Sequence, residues 1–152
     1  MNKLGSIDDC RSNRAFVVEG MNVQFDFTPR SPELLVCFDN LTLVDSGFPR
    51  TPWLSKYAKN LGYSILGIQA YTKDWYRTTN VHEMLNELRS LGFYDGFKKI
   101  VVTGTSMGAF GALCFAPLIP NARVLAFSPQ STLNTDLVPQ ERRFAPARRK
   151  FD

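Results

Sequence analysis

The chain has 152 residues, 44% of them apolar, and a formal charge of +4. That is enough to bury a core and short enough for one globular domain, 1–152, which excludes a disordered tail or a tandem array. The positive excess gathers late, in Arg142, Arg143, Arg148, Arg149 and Lys150. The body is close to neutral and the cluster lacks the run of interleaved aromatics used by single-strand binders, so a solvated basic terminus is expected and no nucleic-acid partner.

No segment approaches the roughly 18 apolar residues of a membrane span, and no long apolar stretch follows a basic start, so neither a span nor a signal peptide is expected. The protein is therefore expected to be cytoplasmic, with no membrane partner, and the sequon Asn40-Leu41-Thr42 means little without a secretion signal. Cys10, Cys37 and Cys114 are odd in number and lack a CxxC pair. They read as buried reduced thiols, and neither a metal nor another cofactor is expected.

In chain order, Ala15 to Val18 and Met21 to Phe27 flank Glu19-Gly20, and Met21, Val23, Phe25 and Phe27 alternate with polar residues at the period of a half-buried strand. This predicts an antiparallel hairpin turning at Glu19-Gly20. After a Pro29 to Pro32 break, Leu34 to Phe38 is a continuous apolar run, as in a strand covered on both faces. Thr51 can cap a helix with Pro52 at its first position. Its apolar face would be Trp53, Leu54, Tyr57, Ala58 and Leu61, and Gly62 would end it.

Ser64 to Gln69 reads as the next strand. A second helix starts at Asn80, with Glu83 three residues on as a capping box, and carries Val81, Met84, Leu85, Leu88 and Leu91 at helical spacing up to Gly92. Lys99 to Thr103 is strand, Met107 to Phe115 a small-residue helix, and Val124 to Phe127 one more strand. Regular alternation of this kind predicts an α/β fold, a mostly parallel sheet with helices on both faces preceded by an antiparallel hairpin.

The chemical signal is Gly104-Thr105-Ser106-Met107-Gly108. A GxSxG match arises by chance in roughly one chain in twenty at this length, so the setting must carry it. Here it follows an apolar strand and opens a helix, the context of a nucleophile elbow in which a serine sits on a strained turn. A structural glycine turn is the alternative. No lysine follows in P-loop position, and Gly104, Gly108 and Gly111 do not form GxGxxG, which argues against a nucleotide-binding domain.

With the order of elements, the stretch Val101 to Gly111 resembles the first two-thirds of an α/β-hydrolase, over about Ala15 to Phe127. Asp39-Asn40-Leu41 and Ser128-Pro129-Gln130-Ser131 add a looser likeness to bacterial hydrolase-like proteins. The resemblance implies a serine hydrolase, esterase-like, acting on a small ester or related acyl substrate. Ser106 would be the nucleophile, and Met107 with the Asn40–Leu41 loop would donate the oxyanion-hole amides. Asn40 can equally satisfy its own turn.

The family order places an acid and then a histidine after the serine, yet the only histidine, His82, lies upstream. It is a candidate base by geometry alone or else an exposed polar residue at a helix start. Asp136 is the candidate acid, with Glu141 behind it, and a solvated loop aspartate is the alternative. Trp75, in the loop Tyr71 to Tyr76, is a pocket wall or a core residue. The absent histidine reads as a truncated, incomplete hydrolase domain with impaired turnover. A non-catalytic binding or assembly protein of the same fold is the other reading. The open apolar edge at Val124 to Phe127 points to a homo-oligomer.

Overall fold

A computed structural model describes residues 14–130 and 132–144. Cys10, Ser131, Arg148, Arg149 and Lys150 lie outside them. Strands β1 (Phe16–Gly20) and β2 (Val23–Thr28) form the expected hairpin, but the turn is Met21-Asn22 rather than Glu19-Gly20. Gly20 is still paired with Val23, and Asn22, at φ 55°, supplies the left-handed turn residue that tolerates this conformation. Met21 is exposed, whereas Val23, Phe25 and Phe27 face the core as their alternation predicts.

The other strands are β3 (Glu33–Phe38), β4 (Ser64–Ala70), β5 (Lys99–Thr105) and β6 (Ala122–Phe127), in the order β1-β2-β4-β3-β5-β6. The hairpin joins antiparallel through β2 and β4, and β4, β3, β5 and β6 run parallel. Parallel strands bring their carboxyl ends, Phe38, Ala70, Thr105 and Phe127, to one rim, where ligands bind in open α/β sheets.

Helices α1 (Leu41–Val44), α2 (Ser55–Leu61), α3 (Val81–Ser90) and α4 (Met107–Phe115) fill the connections. α3 and α4 cover one face, over a core that includes Phe16, Phe25, Phe27, Leu34, Phe38, Leu66, Leu85 and Met107. An aromatic cluster sits within it, with Phe27 stacked edge-on to Phe93 at 4.9 Å and tilted against Phe16 at 5.2 Å. The opposite face is covered only thinly, by α2 over Leu35, Cys37 and Ile65.

α2 starts later than its sequence predicts. Leu54, at φ 65°, precedes its first turn, and Ser55 gives both its N–H and its hydroxyl to Pro52 O, so Thr51 does not cap it. The delay rotates the helix: Ala58 is buried, but Tyr57 and Leu61 are 56% and 48% exposed and do not form the expected core face. Asn80 does precede α3, yet without a side-chain cap, because its Oδ1 accepts from Met21 N–H at 2.7 Å and ties the helix start to the hairpin turn. Cys37 is buried as expected, but Cys114 is exposed, since α4 buries Met107, Gly108, Ala109, Gly111 and Ala112 and turns position 114 outward.

No helix among the described residues is long and apolar enough to cross a membrane. Phe27, only 1% exposed in the aromatic cluster, should lose about 3–5 kcal/mol of stability as Phe27→Ala. Tyr57→Ala should stay within about 0.5 kcal/mol of the parent. Urea unfolding of the two variants side by side tests which face holds the core.

Candidate functional site

At the rim, β5 passes into α4 through Gly104 to Gly108. A Cβ on Gly104 would lie 2.1 Å from Gly108 O, and one on Gly108 would lie 2.4 Å from Phe38 O and 2.8 Å from Asp39 O. Strand, helix and the end of β3 therefore meet backbone to backbone, which only glycine permits. Between them Ser106 takes φ 54°, ψ −119°, a strained conformation for a residue with a side chain. Its N–H is held by Phe127 O at 3.0 Å.

Phe110 N–H to Ser106 O, 3.1 Å, closes the first turn of α4, so the amides of Met107, Gly108 and Ala109 stand ahead of the helical ladder. Ser106 is partly exposed. Its Oγ makes a long contact of 3.5 Å to Gln130 Oε1, weak for an O–H···O bond. Gln130 also lines a cleft of about 500 Å³ with Pro129, Thr132, Glu141, Arg142 and Arg143. The sequence alone assigns Gln130 no role. The signal was its place just past β6, the strand beside the serine's own.

The loop after β3 is tied down from several sides. Asp39 N–H donates to Ile68 O at 3.1 Å, the Tyr76 hydroxyl donates to Asp39 O at 2.8 Å, and Arg50 Nη2 donates to Asp39 Oδ2 at 2.6 Å. The same Nη2 reaches Ala70 O at 2.8 Å, and the guanidinium lies 3.9 Å over the Phe48 ring. Burial pushes the Asp39 carboxyl above its usual range, against the opposing hydrogen bond and charge of Arg50. Burial likewise raises the Tyr76 phenol and the Cys37 thiol, which stay protonated donors, the thiol to Trp53 O at 2.9 Å.

Asn40 Oδ1 accepts from Leu43 N–H at 3.2 Å and caps the short α1, so its side chain does satisfy its own turn. Leu41 begins that helix. Trp75 is 2% exposed and packs edge-on to Phe144 at 4.8 Å. It is a packing residue here, not an open wall, and with Tyr76 it holds a left-handed φ, 56° and 60°.

The other predicted partners make their side-chain or backbone contacts with residues other than Ser106. His82 is exposed at the start of α3, against Asn86 Nδ2 at 3.2 Å. The preceding Asn80 is tied to the β1–β2 turn, and β2 lies three strand spacings from β5, on the order of 14 Å. Asp136 is exposed, and its N–H donates to Asn134 Oδ1 at 2.8 Å. Glu141 pairs with Arg143. Among the described residues no group of His, Cys, Asp and Glu could hold a metal ion.

The Asp39–Arg50 pair has side chains only 1% and 8% exposed. Arg50→Met should cost about 3–5 kcal/mol near neutral pH, because it leaves a buried carboxylate unpaired. Removing Arg50 raises the folded-state pKa of Asp39 further above its unfolded value. The deficit should then be largest where Asp39 is ionised and shrink as pH falls towards about 4. Urea unfolding of parent and variant across that range tests the sign.

A scan against protein-family models finds no match, and a search of curated proteins finds none. Among solved structures, the chain is similar to the capsule O-acetyltransferase of Neisseria meningitidis serogroup A, with 14% identity and a TM-score of 0.59 over 85% of this chain and 56% of that one. A histidine variant of that enzyme in complex with CoA gives the same identity and coverage at a TM-score of 0.56. An α/β hydrolase from the metagenome of sediments from the lagoon of Mar Chica, Morocco, matches at 14% identity and a TM-score of 0.42 over 82% of this chain and 57% of that one. The chain thus spans little more than half the length of these structures, and what the likeness to the O-acetyltransferase shows is a shared α/β fold, here a six-stranded, mostly parallel sheet with helices.

Proposed function

We propose that the chain carries an acyl-transfer centre of the serine-hydrolase kind, with Ser106 as nucleophile and a small ester or related acyl compound as substrate. The observation that carries this reading is the backbone of Ser106, a non-glycine residue at φ 54° on a strand-to-helix turn braced by two glycine contacts. Such strain persists where surrounding structure enforces it, and it lifts a hydroxyl clear of the sheet. The Met107 amide at the start of α4 and the Asn40–Leu41 loop at the end of β3 are the proposed oxyanion donors. Each such donor is typically worth about 2.7–4 kcal/mol of transition-state stabilisation.

The fold likeness to an O-acetyltransferase agrees with acyl transfer as the class of chemistry. Attack would form an Oγ–acyl bond and expel the leaving group. The Oγ proton needs an acceptor, and the Gln130 amide oxygen beside it is too weak a base for that role. With no histidine at Ser106, the oxyanion donors and binding alone would leave a residual acceleration of about 10³–10⁴ over water. Turnover by this chain is therefore expected to be very low. The same missing base favours a second reading, a non-catalytic binding protein of this fold.

A fluorophosphonate probe separates them. Its phosphorus bonds to Oγ, fluoride leaves and the proton passes to solvent. Slow labelling that maps to Ser106 and disappears in Ser106→Ala is the expected result. Rapid labelling would refute the missing base, and no labelling of a folded chain would leave the binding reading.

A further inference from the structure

Strand β3 ends at Phe38, its last residue paired with both β4 and β5. Asp39 N–H still reaches β4, at Ile68 O. The Tyr76 hydroxyl donates to Asp39 O at 2.8 Å and stands 3.4 Å from Ile68 O, so the Asp39 carbonyl is turned to the β4 side of β3. The one cis peptide bond among the described residues is Phe48–Pro49, and the Asp39–Asn40 peptide is therefore trans. Its N–H points opposite to its C=O. The Asn40 N–H is thus turned to the other side of β3, where β5 lies and leads into Ser106.

The phenol that sets this direction is itself fixed from several sides. Trp75 and Tyr76 both hold a left-handed φ, which bulky residues keep only where the surroundings enforce it. The Thr79 hydroxyl donates to Tyr76 O at 2.8 Å, and the buried Asp74 carboxylate accepts from the N–H and the hydroxyl of Thr78. The Tyr76 ring stands edge-on to Phe38 at 5.3 Å. A Cβ on Gly111 would lie 2.9 Å from Tyr76 Cε2 and 2.7 Å from Phe38 Cδ1. A glycine inside α4, where helix propensity favours alanine, therefore makes room for the ring.

We propose that Tyr76 is a positioning residue for acyl transfer at Ser106, holding the Asp39–Asn40 peptide so that the Asn40 N–H is the oxyanion donor from the β3 side. The assignment rests on the acyl-transfer reading of Ser106. It adds which amide of the Asn40–Leu41 loop donates and what aims it. Arg50 holds the Asp39 side chain, whereas the phenol acts on the peptide itself. A misplacement of about 1 Å at a reacting centre can cost about 100-fold in rate, so a single hydroxyl outside the site can govern it.

Tyr76→Phe keeps the ring and removes the O–H. The test uses the fluorophosphonate probe on the full 152-residue chain. Phosphorus bonds to Oγ, fluoride leaves, the proton passes to solvent, and the P=O oxygen, more negative as attack proceeds, takes the oxyanion position. Labelling of Ser106 at saturating probe should slow about 10–100-fold in Tyr76→Phe, with the half-saturating probe concentration unchanged. In an Asn40→Pro background, which lacks the amide, Tyr76→Phe should slow it no further.

Ser64→Ala supplies the structural comparison. Its buried hydroxyl bridges Arg30 and Ser31 at the opposite end of β4, so the variant should lose stability to urea and keep the parent labelling rate. Gly111→Ala presses on the Tyr76 ring from α4 and should slow labelling too, a readout that stands even if Tyr76→Phe does not fold. Tyr76→Phe labelling within about twofold of the parent, or slowing it as much in the Asn40→Pro background, would overturn the positioning role and leave the acyl-transfer reading in place. A folded parent that is never labelled at Ser106 would overturn both.

Discussion

The structure depends on one steric constraint, the backbone contact among β5, α4 and the end of β3. With Gly104 beneath Gly108, and Gly108 against the Phe38 and Asp39 carbonyls, α4 starts directly over the carboxyl rim of the sheet. A side chain at either glycine would force the helix away by more than the contact distance allows, and interiors this tightly packed do not absorb such a shift. The left-handed φ of Ser106, the bond of its N–H to Phe127 O and the placement of the first α4 amides all follow from that approach. The small residues of α4 are the sequence record of the same demand.

A second consequence runs through Asp39. Its carbonyl is taken by the Tyr76 hydroxyl and its carboxylate by Arg50, so the peptide joining Asp39 to Asn40 is held from the core side. A trans peptide is planar, with C=O and N–H pointing opposite ways. Fixing the Asp39 carbonyl towards Tyr76 therefore turns the Asn40 N–H away from it, which supports this amide as a donor in the acyl-transfer reading. The left-handed backbone at Trp75 and Tyr76 is the local cost of bringing that hydroxyl under the loop.

The sheet and the elbow were legible because their signals are local. Continuous apolar runs such as Leu34 to Phe38, the alternation from Val23 to Phe27, and glycines ending helices at Gly62 and Gly92, at φ 71° and 72°, need no tertiary information. The failures have tertiary causes. Asn80 and Glu83 spell a capping box, yet the hairpin turn claims the Asn80 side chain. Tyr57 and Leu61 have helical spacing, but the late start of α2 after Leu54 turns them outward. Arg50 carries no signal in the sequence, because nothing in its neighbourhood announces a buried carboxylate 11 residues upstream. Gln130 was hidden for the same reason, since strand order and not sequence distance puts the end of β6 beside Ser106.

Geometry and chemistry at Ser106 are separable, and this limits what an elbow alone can argue. Every contact that fixes the serine is a packing or backbone contact: two glycines, the Phe127 carbonyl and the first turn of α4. None of them involves a proton acceptor. The strained turn would fold equally well with or without a base, so its presence is evidence for the site's shape and not for its turnover. The rim segment after β6 is the one whose side chain reaches Ser106 Oγ. There the described residues offer an amide at 3.5 Å and a cleft lined by arginines, a surface better suited to holding a polar or anionic group than to taking a proton from a hydroxyl.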